Sequence, residues 1–270
     1  MLQRHGIHPR EGTMAKLVVE IVPVLTDNYV YLLHEPISGA TAAVDPAVAD
    51  PVLERLAARG WSLSHVLITH HHGDHIGGVP DLVRQTGCAV VGAGRDAARL
   101  PPLTIEVSEG DTFLLGSTAA VVLAVPGHTT GHLAFWFPDS HALFCGDALF
   151  SLGCGRLFEG TAAEMWASLC KLRDLPPDTQ VYCGHEYTAA NGRFARLVER
   201  DNPALLIRLK EVEGQRAKGR PTLPSTIASE RAANPFMRAD EPTVARAVGM
   251  EPGTAPAQVL AELRRRKDVF

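Results

Sequence analysis

The chain has 270 residues, of which 46% are hydrophobic and 21% charged, and its formal net charge at pH 7 is −4. This is globular composition, which argues against extensive disorder. The slight acidity gives no electrostatic reason to expect nucleic acid as a partner. No apolar run reaches the roughly 18 residues that a membrane span needs, and the N-terminus lacks an apolar signal core. We therefore predict a soluble cytoplasmic protein with neither a nucleic-acid nor a membrane partner.

The cysteines also favour a reducing compartment. There are five of them, an odd number, and none forms a Cys-x-x-Cys pair. A disulfide framework is therefore not predicted.

Apolar periodicity divides the chain into a strand-rich part and a helical part. The first part is predicted to hold strands at 17–24, 29–33, 40–44, 66–68, 88–91, 105–107, 113–115, 119–125, 133–137, 143–145 and 181–182. Helices are predicted to begin near Asp50 and Val79, and Thr161 with Glu164 forms a capping box for a third helix. Beyond Tyr187 the pattern is helical, with no strand signal. Periodicity thus indicates a mixed α and β domain followed by a helical appendix.

A metal-binding pattern follows the apolar strand 66–68. The segment 69–78 reads Thr-His-His-His-Gly-Asp-His-Ile-Gly-Gly. Neutral imidazole and carboxylate suit zinc, iron or manganese. On an extended backbone His70 and His72 point the same way, while the adjacent Asp74 and His75 can turn toward a second centre. The spacing therefore indicates two metals side by side; the alternatives are a histidine-rich surface loop or a single structural site, although structural zinc often uses thiolates.

This segment resembles the T-H-x-H-x-D-H signature of the metallo-β-lactamase superfamily. Further candidate ligands, His128, Asp147 and His185, also stand just beyond predicted strands. The resemblance implies an α+β fold, a four-layer αβ/βα sandwich with the helical domain at its C-terminal end. It also implies two divalent metal ions; zinc is the expected metal, and iron or manganese would suit the same donors. The first metal would take His70, His72 and His128, the second Asp74, His75 and His185, with Asp147 bridging them.

The implied chemistry is hydrolysis. A water held by two such metals loses its proton near neutral pH and becomes a nucleophile, while the metals stabilise the resulting oxyanion. Asp74 is expected to act in catalysis by orienting this nucleophile. His71 and His132 are assigned to surface or supporting roles, and Asp45 either supports a ligand histidine or only shapes a turn.

An ordered set of further segments resembles the hydroxyacylglutathione hydrolases, also called glyoxalase II. They are 26–29, 146–147, 153–160, 183–187, 234–238 and 263–270. The similarity runs from about Met14 to the end. It implies hydrolysis of S-(2-hydroxyacyl)glutathione, such as S-D-lactoylglutathione, to glutathione and D-lactate, the second step of methylglyoxal detoxification. Residues 14–187 would be the catalytic domain and 188–270 the substrate-binding domain, after a flexible N-terminal extension at 1–13, in a monomer or weak dimer.

The same resemblance implies a set of substrate-binding residues: Arg156, Tyr187, Arg264 and Lys267. Arg156 stands where some members carry lysine, which keeps the charge but changes its geometry. Phe158 stands where some carry tyrosine, so one hydroxyl contact is absent. From the residues alone, the favoured interpretation of the basic run 264–267 is a solvated helix end that complements the helix dipole.

Three other functions fit parts of the sequence. A sulfur dioxygenase of the same superfamily would hold one iron and would need neither a bridging Asp147 nor the appendix. A lactonase or β-lactamase would likewise not need the appendix. A nucleic-acid-binding protein would use the run 264–267 as a phosphate patch, and its binding would depend steeply on salt.

Overall fold

The computed structural model describes residues 16–270, so the extension predicted at 1–13 lies outside the described residues. The first sheet has six strands that pair in chain order. They are β1 Val18–Val24, β2 Asn28–His34, β3 Thr41–Val44, β4 His65–Leu67, β5 Ala89–Ala93 and β6 Ile105–Val107. β1 to β3 are antiparallel, whereas β3 to β6 are parallel. Parallel neighbours need crossover connections, and these place helices on one face of this sheet.

The remaining strands are β7 Thr112–Leu115, β8 Thr118–Ala124, β9 Leu133–Phe137, β10 Ala142–Gly146, β11 Leu149–Phe150, β12 Gly153–Cys154, β13 Gln180–Cys183 and β14 Ser225–Thr226. Six of them form the second sheet, in the order β14-β13-β10-β9-β8-β7. β11 and β12 form a separate two-stranded ribbon. The ribbon therefore projects from the end of β10, beside the loop that carries Asp147.

The helices are α1 Asp50–Arg59, α2 Gly73–Ile76, α3 Val79–Thr86, α4 Ala162–Arg173, α5 Thr188–Val198, α6 Pro203–Arg216, α7 Ile227–Ala233, α8 Pro242–Ala247 and α9 Pro256–Asp268. The predicted capping box is confirmed: Thr161 Oγ1 accepts a hydrogen bond from the Glu164 N–H, and the Glu164 carboxylate accepts one from the Thr161 N–H. In the described part of the chain no helix is both long and apolar enough to span a membrane.

Two hydrophobic cores define the layers. Because side chains alternate along a strand, Leu67 of β4 enters the core between the sheets, whereas Val66 and Ile68 enter a second core under α1 and α3. Tyr31 of the first sheet contacts Phe144 of the second, with ring centroids 5.6 Å apart. α4 and α9 pack on the side of the second sheet and share its core. The predicted four-layer αβ/βα sandwich is therefore confirmed.

The expectation that no strand follows Tyr187 is wrong at one point. β14 pairs antiparallel with β13, joining Gln180 to Thr226 and Val181 to Ser225. A two-residue strand is too short to show alternation in the sequence. The appendix thus adds an edge strand to the second sheet as well as helices, and the division between residues 14–187 and 188–270 stays a prediction.

A buried polar network also ties the appendix to the ribbon. The fully buried Glu230 carboxylate accepts a hydrogen bond from the Leu152 N–H at 2.8 Å and one from Asn234 Nδ2 at 3.0 Å. The Asn234 amide donates further to the carbonyls of Phe150, at 3.1 Å, and Gly153, at 2.9 Å. Since buried polar groups need partners, these bonds fix the ribbon against the appendix.

The segment 69–78 closely approaches the preceding loop at Gly78, and a substitution there tests how tight this packing is. A Cβ at Gly78 would lie 2.5 Å from the carbonyl carbon of Val48 and 2.8 Å from the nitrogen of Ala49, both backbone atoms. We expect Gly78→Ala to lower the free energy of unfolding by about 1–3 kcal/mol through overpacking, measured by urea denaturation. Gly73→Ala is the matched control, because its added methyl group would have no atom within 4 Å apart from its chain neighbours and its own helix backbone. Equal stability of the two variants would contradict this account.

Candidate metal centre and active site

Four loops meet at one edge of the sandwich, each just beyond a strand. They follow β4, β8, β10 and β13, and they bring together the seven predicted ligands His70, His72, Asp74, His75, His128, Asp147 and His185. These residues span more than a hundred positions in the chain. Their role as ligands stays a prediction, but their convergence is a finding.

The first group of donors contains three imidazoles. The side-chain nitrogens of His70, His72 and His128 lie within 4.8 Å of one another. His72 Nδ1 is 3.1 Å from His70 Nε2 and 3.0 Å from His128 Nε2. Burial and neighbouring histidines lower the pKa of His70 and of His72; burial also lowers the pKa of His128. These rings are therefore neutral at pH 7, the form in which imidazole binds metals.

The second group is built by the short helix α2, which turns Asp74 and His75 toward His185. Donor atoms of these three residues also lie within 4.8 Å of one another. His75 Nε2 is 3.3 Å from His185 Nε2, and Asp74 Oδ2 is 3.4 Å from the same nitrogen. Burial lowers the pKa of His75, but Asp147 and Asp45 raise it well above its ordinary value. The carboxylates thus favour positive charge at this group.

Asp147 lies between the two groups. Its Oδ2 is 3.5 Å from His128 Nε2 and 3.4 Å from His185 Nε2, and its Oδ1 is 3.5 Å from His75 Nε2. Oδ1 is buried and has no hydrogen-bond partner among the described residues. Burial raises the pKa of Asp147, but His75 and His185 lower it well below its ordinary value. The residue is therefore an anion that faces both groups.

Outer acceptors fix the orientation of three rings. Nδ1–H of His75 donates to Asp45 at 3.0 Å, that of His185 to Asp27 at 2.8 Å, and that of His128 to the carbonyl of Arg156 at 2.8 Å. Each Nε2 must then carry the lone pair when the ring is neutral. These lone pairs point inward, into the cluster.

This arrangement fits a divalent metal pair. Inward lone pairs at about 3 Å repel unless a proton or a cation lies between them, and the unpartnered Oδ1 of Asp147 adds negative charge at the same place. Imidazole and carboxylate donors suit zinc, iron and manganese. Asp45, His70 and His75 also lie close enough to form a third group, but Asp45 already accepts hydrogen bonds from the Thr69 N–H and hydroxyl and from His75.

Two residues that orient candidate ligands, Asn28 and Asp27, were not predicted from the sequence. Asn28 Nδ2 donates to the Asp74 carboxylate at 3.0 Å and so orients it, and Asp27 holds His185. Both lie in segment 26–29, whose family resemblance was the available signal. Gly184 leaves space for two of the candidate ligands, because a Cβ there would lie 2.5 Å from Asp147 Oδ1 and 2.7 Å from His75 Cε1.

The histidines predicted to be supporting lie outside the cluster. The fully buried His132 stacks on His70 with ring centroids 4.6 Å apart, and its Nε2 accepts a hydrogen bond from the Asp147 N–H at 3.1 Å. Burial lowers the pKa of His132 to about 3, so it acts as a neutral acceptor. His71 points away, with Nε2 3.5 Å from Glu159 and Nδ1 3.7 Å from Asp96.

A cavity of 540 Å³ opens above the cluster, walled by the ribbon, the segment 156–158 and the appendix. Tyr187 stacks on His185 at 4.7 Å, and burial raises the pKa of its hydroxyl to about 12, so it remains a hydrogen-bond donor at neutral pH. Phe158 lies edge-on to His72 at 5.6 Å and tilted against His128 at 5.2 Å. The wall beside the metal-binding donors is therefore aromatic.

The predicted cations also line this cavity, but they differ in how far they are engaged. Arg264 donates to the Cys154 carbonyl at 2.8 Å and to Asp268 at 2.9 and 3.0 Å, so it fixes α9 to the ribbon. Arg156 is largely exposed, with Nε 3.6 Å from Asp268. Lys267 has neither a hydrogen bond nor an ion pair to any described residue. Lys267 is thus the cation most available to an anionic ligand.

Comparison with known families agrees with this geometry. The family described as metallo-beta-lactamase superfamily matches residues 31–185, so the fold and site define a member of that superfamily. The family described as hydroxyacylglutathione hydrolase C-terminus matches residues 186–270. The hydroxyacylglutathione hydrolase of Methylococcus capsulatus is 59% identical over 249 residues, covering 92% of this chain and 97% of that protein. The chain belongs to the hydroxyacylglutathione hydrolase family.

Other relatives support the same placement. The hydroxyacylglutathione hydrolase of Jannaschia sp. is 52% identical over 257 residues, which cover 95% of this chain and all (100%) of that protein. Among solved structures, ETHE1 from Myxococcus xanthus superposes with a TM-score of 0.67 at 25% identity, covering 92% of this chain and 91% of that one. The predicted family and fold are therefore confirmed over nearly the whole length.

Asp45 offers a test of the outer support. Its carboxylate orients His75 and is itself held by Thr69. We expect Asp45→Asn to weaken metal binding by about 10- to 100-fold, as loss of such supporting carboxylates does at other sites, measured by competition with a chelator. Asp50→Asn is the control, since Asp50 is exposed at the start of α1. Equal affinity in both variants would show that Asp45 only shapes the backbone.

Proposed function

We propose that the chain hydrolyses S-(2-hydroxyacyl)glutathione thioesters, such as S-D-lactoylglutathione, to glutathione and a 2-hydroxy acid. The observation that carries this proposal is the placement of seven converging histidine and aspartate side chains beneath a cavity whose far wall is the C-terminal appendix. The appendix is the part matched by the hydroxyacylglutathione hydrolase C-terminus. The same domain division follows: 14–187 for catalysis and 188–270 for substrate binding.

Two divalent cations, with zinc as the proposed metal, would be held by the two groups of donors. His70, His72 and His128 would bind one, Asp74, His75 and His185 the other, and Asp147 would contact both. Such a pair, when bound, lowers the pKa of water and supplies positive charge opposite a developing oxyanion.

Asp74 has a second role in this proposal, as the catalytic acceptor. Burial raises its pKa, but the hydrogen bond from Asn28 and the charges of His75 and His185 lower it overall, so it is ionised at neutral pH. Its side chain is 43% exposed and lines the cavity, unlike the buried Asp147. It can therefore accept a hydrogen bond from the attacking water and orient it toward the thioester carbonyl.

The substrate explains the remaining features. A thiolate leaves without a positioned general acid because the thiol pKa lies near 8.5. Glutathione carries two carboxylates, and the chain, with a net charge of −4, supplies local cations at Arg156, Arg264 and Lys267 beside the cavity. The Tyr187 hydroxyl is a further donor on the same wall.

The direct test is a thiol-release assay on S-D-lactoylglutathione combined with metal analysis of the purified protein. We expect thiol release and about two metal ions per chain. Replacing Asp147 by Ala should remove metal and nearly all activity, because the cluster then lacks the anion that faces both groups. A wild-type protein that releases no thiol, or an Asp147→Ala variant that keeps both metals at full affinity, would contradict the proposal.

Substrate binding can be tested at Lys267, with Arg265 on the same helix as the control. Lys267 faces the cavity and pairs with no described residue, whereas Arg265 points outward to Glu262 at 2.7 Å. We expect Lys267→Ala to raise KM for the thioester about tenfold, which corresponds to roughly 1.4 kcal/mol of lost binding, with little change in kcat.

Arg265→Ala should leave both constants unchanged, and metal content should be normal in each variant. Equal effects at the two positions would indicate a diffuse basic patch instead of a specific contact. Arg264 is a poorer probe, because its loss would also free α9 from the ribbon.

A further inference from the structure

Lys267 lies on the cavity wall without a hydrogen bond or ion pair to any described residue, and two aromatic rings lie beside it. Its Nζ lies 5.5 Å from the centroid of the Phe270 ring and 6.0 Å from that of Phe194. The two rings contact each other at 5.7 Å with planes inclined by 62°. Phe194 is buried, whereas Phe270 is 57% exposed. The ammonium therefore meets a small aromatic corner formed by α5 and the residues after α9.

The charges around Lys267 do not hold its ammonium in the corner. Burial lowers the pKa of Lys267, and the nearby cations Arg264, Arg156 and Arg193 lower it further. Asp268 opposes them, but it is already engaged by Arg264. An ammonium repelled by other cations and lacking a carboxylate partner would swing toward solvent, because a lysine side chain has four rotatable bonds.

An aromatic face can attract the ammonium and still leave it able to bind a carboxylate. The negative face of a phenyl ring attracts an ammonium within about 6 Å, yet it does not occupy the hydrogen-bonding positions of the ammonium as a carboxylate would. Holding a flexible side chain in its binding orientation reduces the entropy lost on binding. Neighbouring Arg265 and Arg266 are instead held by Glu262, away from the cavity.

We propose that Phe270, backed by Phe194, is a positioning residue that holds the Lys267 ammonium at the cavity wall to receive a carboxylate of the substrate. This inference rests on the proposed function for the identity of that carboxylate. Phe270 itself does not need to touch the reacting atoms. Its effect should fall on substrate binding and should pass through Lys267.

The test compares Phe270→Leu with Phe270→Tyr. Leucine keeps apolar bulk but has no aromatic face, whereas tyrosine keeps the face. We expect Phe270→Leu to raise KM for S-D-lactoylglutathione about two- to fivefold at unchanged kcat, the size of an exposed cation–π contact. Phe270→Tyr should restore the wild-type KM. Val269→Ala is the matched control, because Val269 is adjacent in sequence and 81% exposed.

A double-mutant cycle separates positioning from general packing. In a Lys267→Ala background, Phe270→Leu should have no further effect on KM, because the group it positions is gone. A full effect in that background, an unchanged KM for Phe270→Leu, or a tyrosine variant as impaired as the leucine variant would each overturn the proposal.

Binding of S-methylglutathione, a thioether that cannot be hydrolysed, gives a readout independent of catalysis. Titration calorimetry should show the same two- to fivefold weakening in Phe270→Leu and none in Val269→Ala. If this pattern appears while the wild type hydrolyses no thioester, the proposed function fails and the positioning role stands. If the wild type hydrolyses the thioester but Phe270→Leu binds normally, the positioning role alone fails.

Discussion

Inward-facing lone pairs and one buried carboxylate are the constraint on which the structure depends. Asp147 is ionised in the interior, and imidazole nitrogens of both groups surround it. A buried anion without compensating charge is strongly unfavourable. The inward lone pairs of His75 and His185, whose Nε2 atoms are 3.3 Å apart, repel unless a proton or a cation lies between them. The cluster is therefore suited to positive charge at two neighbouring points. The Nδ1–H groups of three histidine rings hold that arrangement by donating outward, to Asp27, Asp45 and the carbonyl of Arg156.

The fold supplies this arrangement through strand ends. Four strands deliver the candidate ligands to one edge, and the tight packing there depends on a small residue at Gly184, where a Cβ would meet the side chains of Asp147 and His75. His132 shows how the second sheet contributes without presenting a donor to the cluster: it supports the ring of His70 and fixes the Asp147 backbone. The candidate ligands are thus held from two sheets at once.

The appendix completes the site from the opposite side. It closes the cavity, contributes an edge strand to the second sheet and fixes the ribbon through the buried Glu230. Its four consecutive basic residues, 264–267, make different contacts. Arg264 holds the ribbon, Arg265 and Arg266 hold Glu262, and Lys267 is left facing the cavity between aromatic rings. A chain of net negative charge can therefore present a local cation to an anionic ligand.

Most of the elements and all seven candidate ligands could be predicted from the chain alone. Periodicity and the capping box at Thr161 located most strands and the helices α1, α3 and α4, because burial of one face acts over a few residues. The spacing of His70 to His75 indicated two centres because its geometry is local. Contacts between packed elements were needed to show the short strand β14, the acceptors Asp27 and Asp45, the engagement of Arg264 and the aromatic corner around Lys267. Asp27 and His185 are 158 positions apart. Such pairings follow from how packed elements meet in space, and no local pattern in the chain encodes that distance.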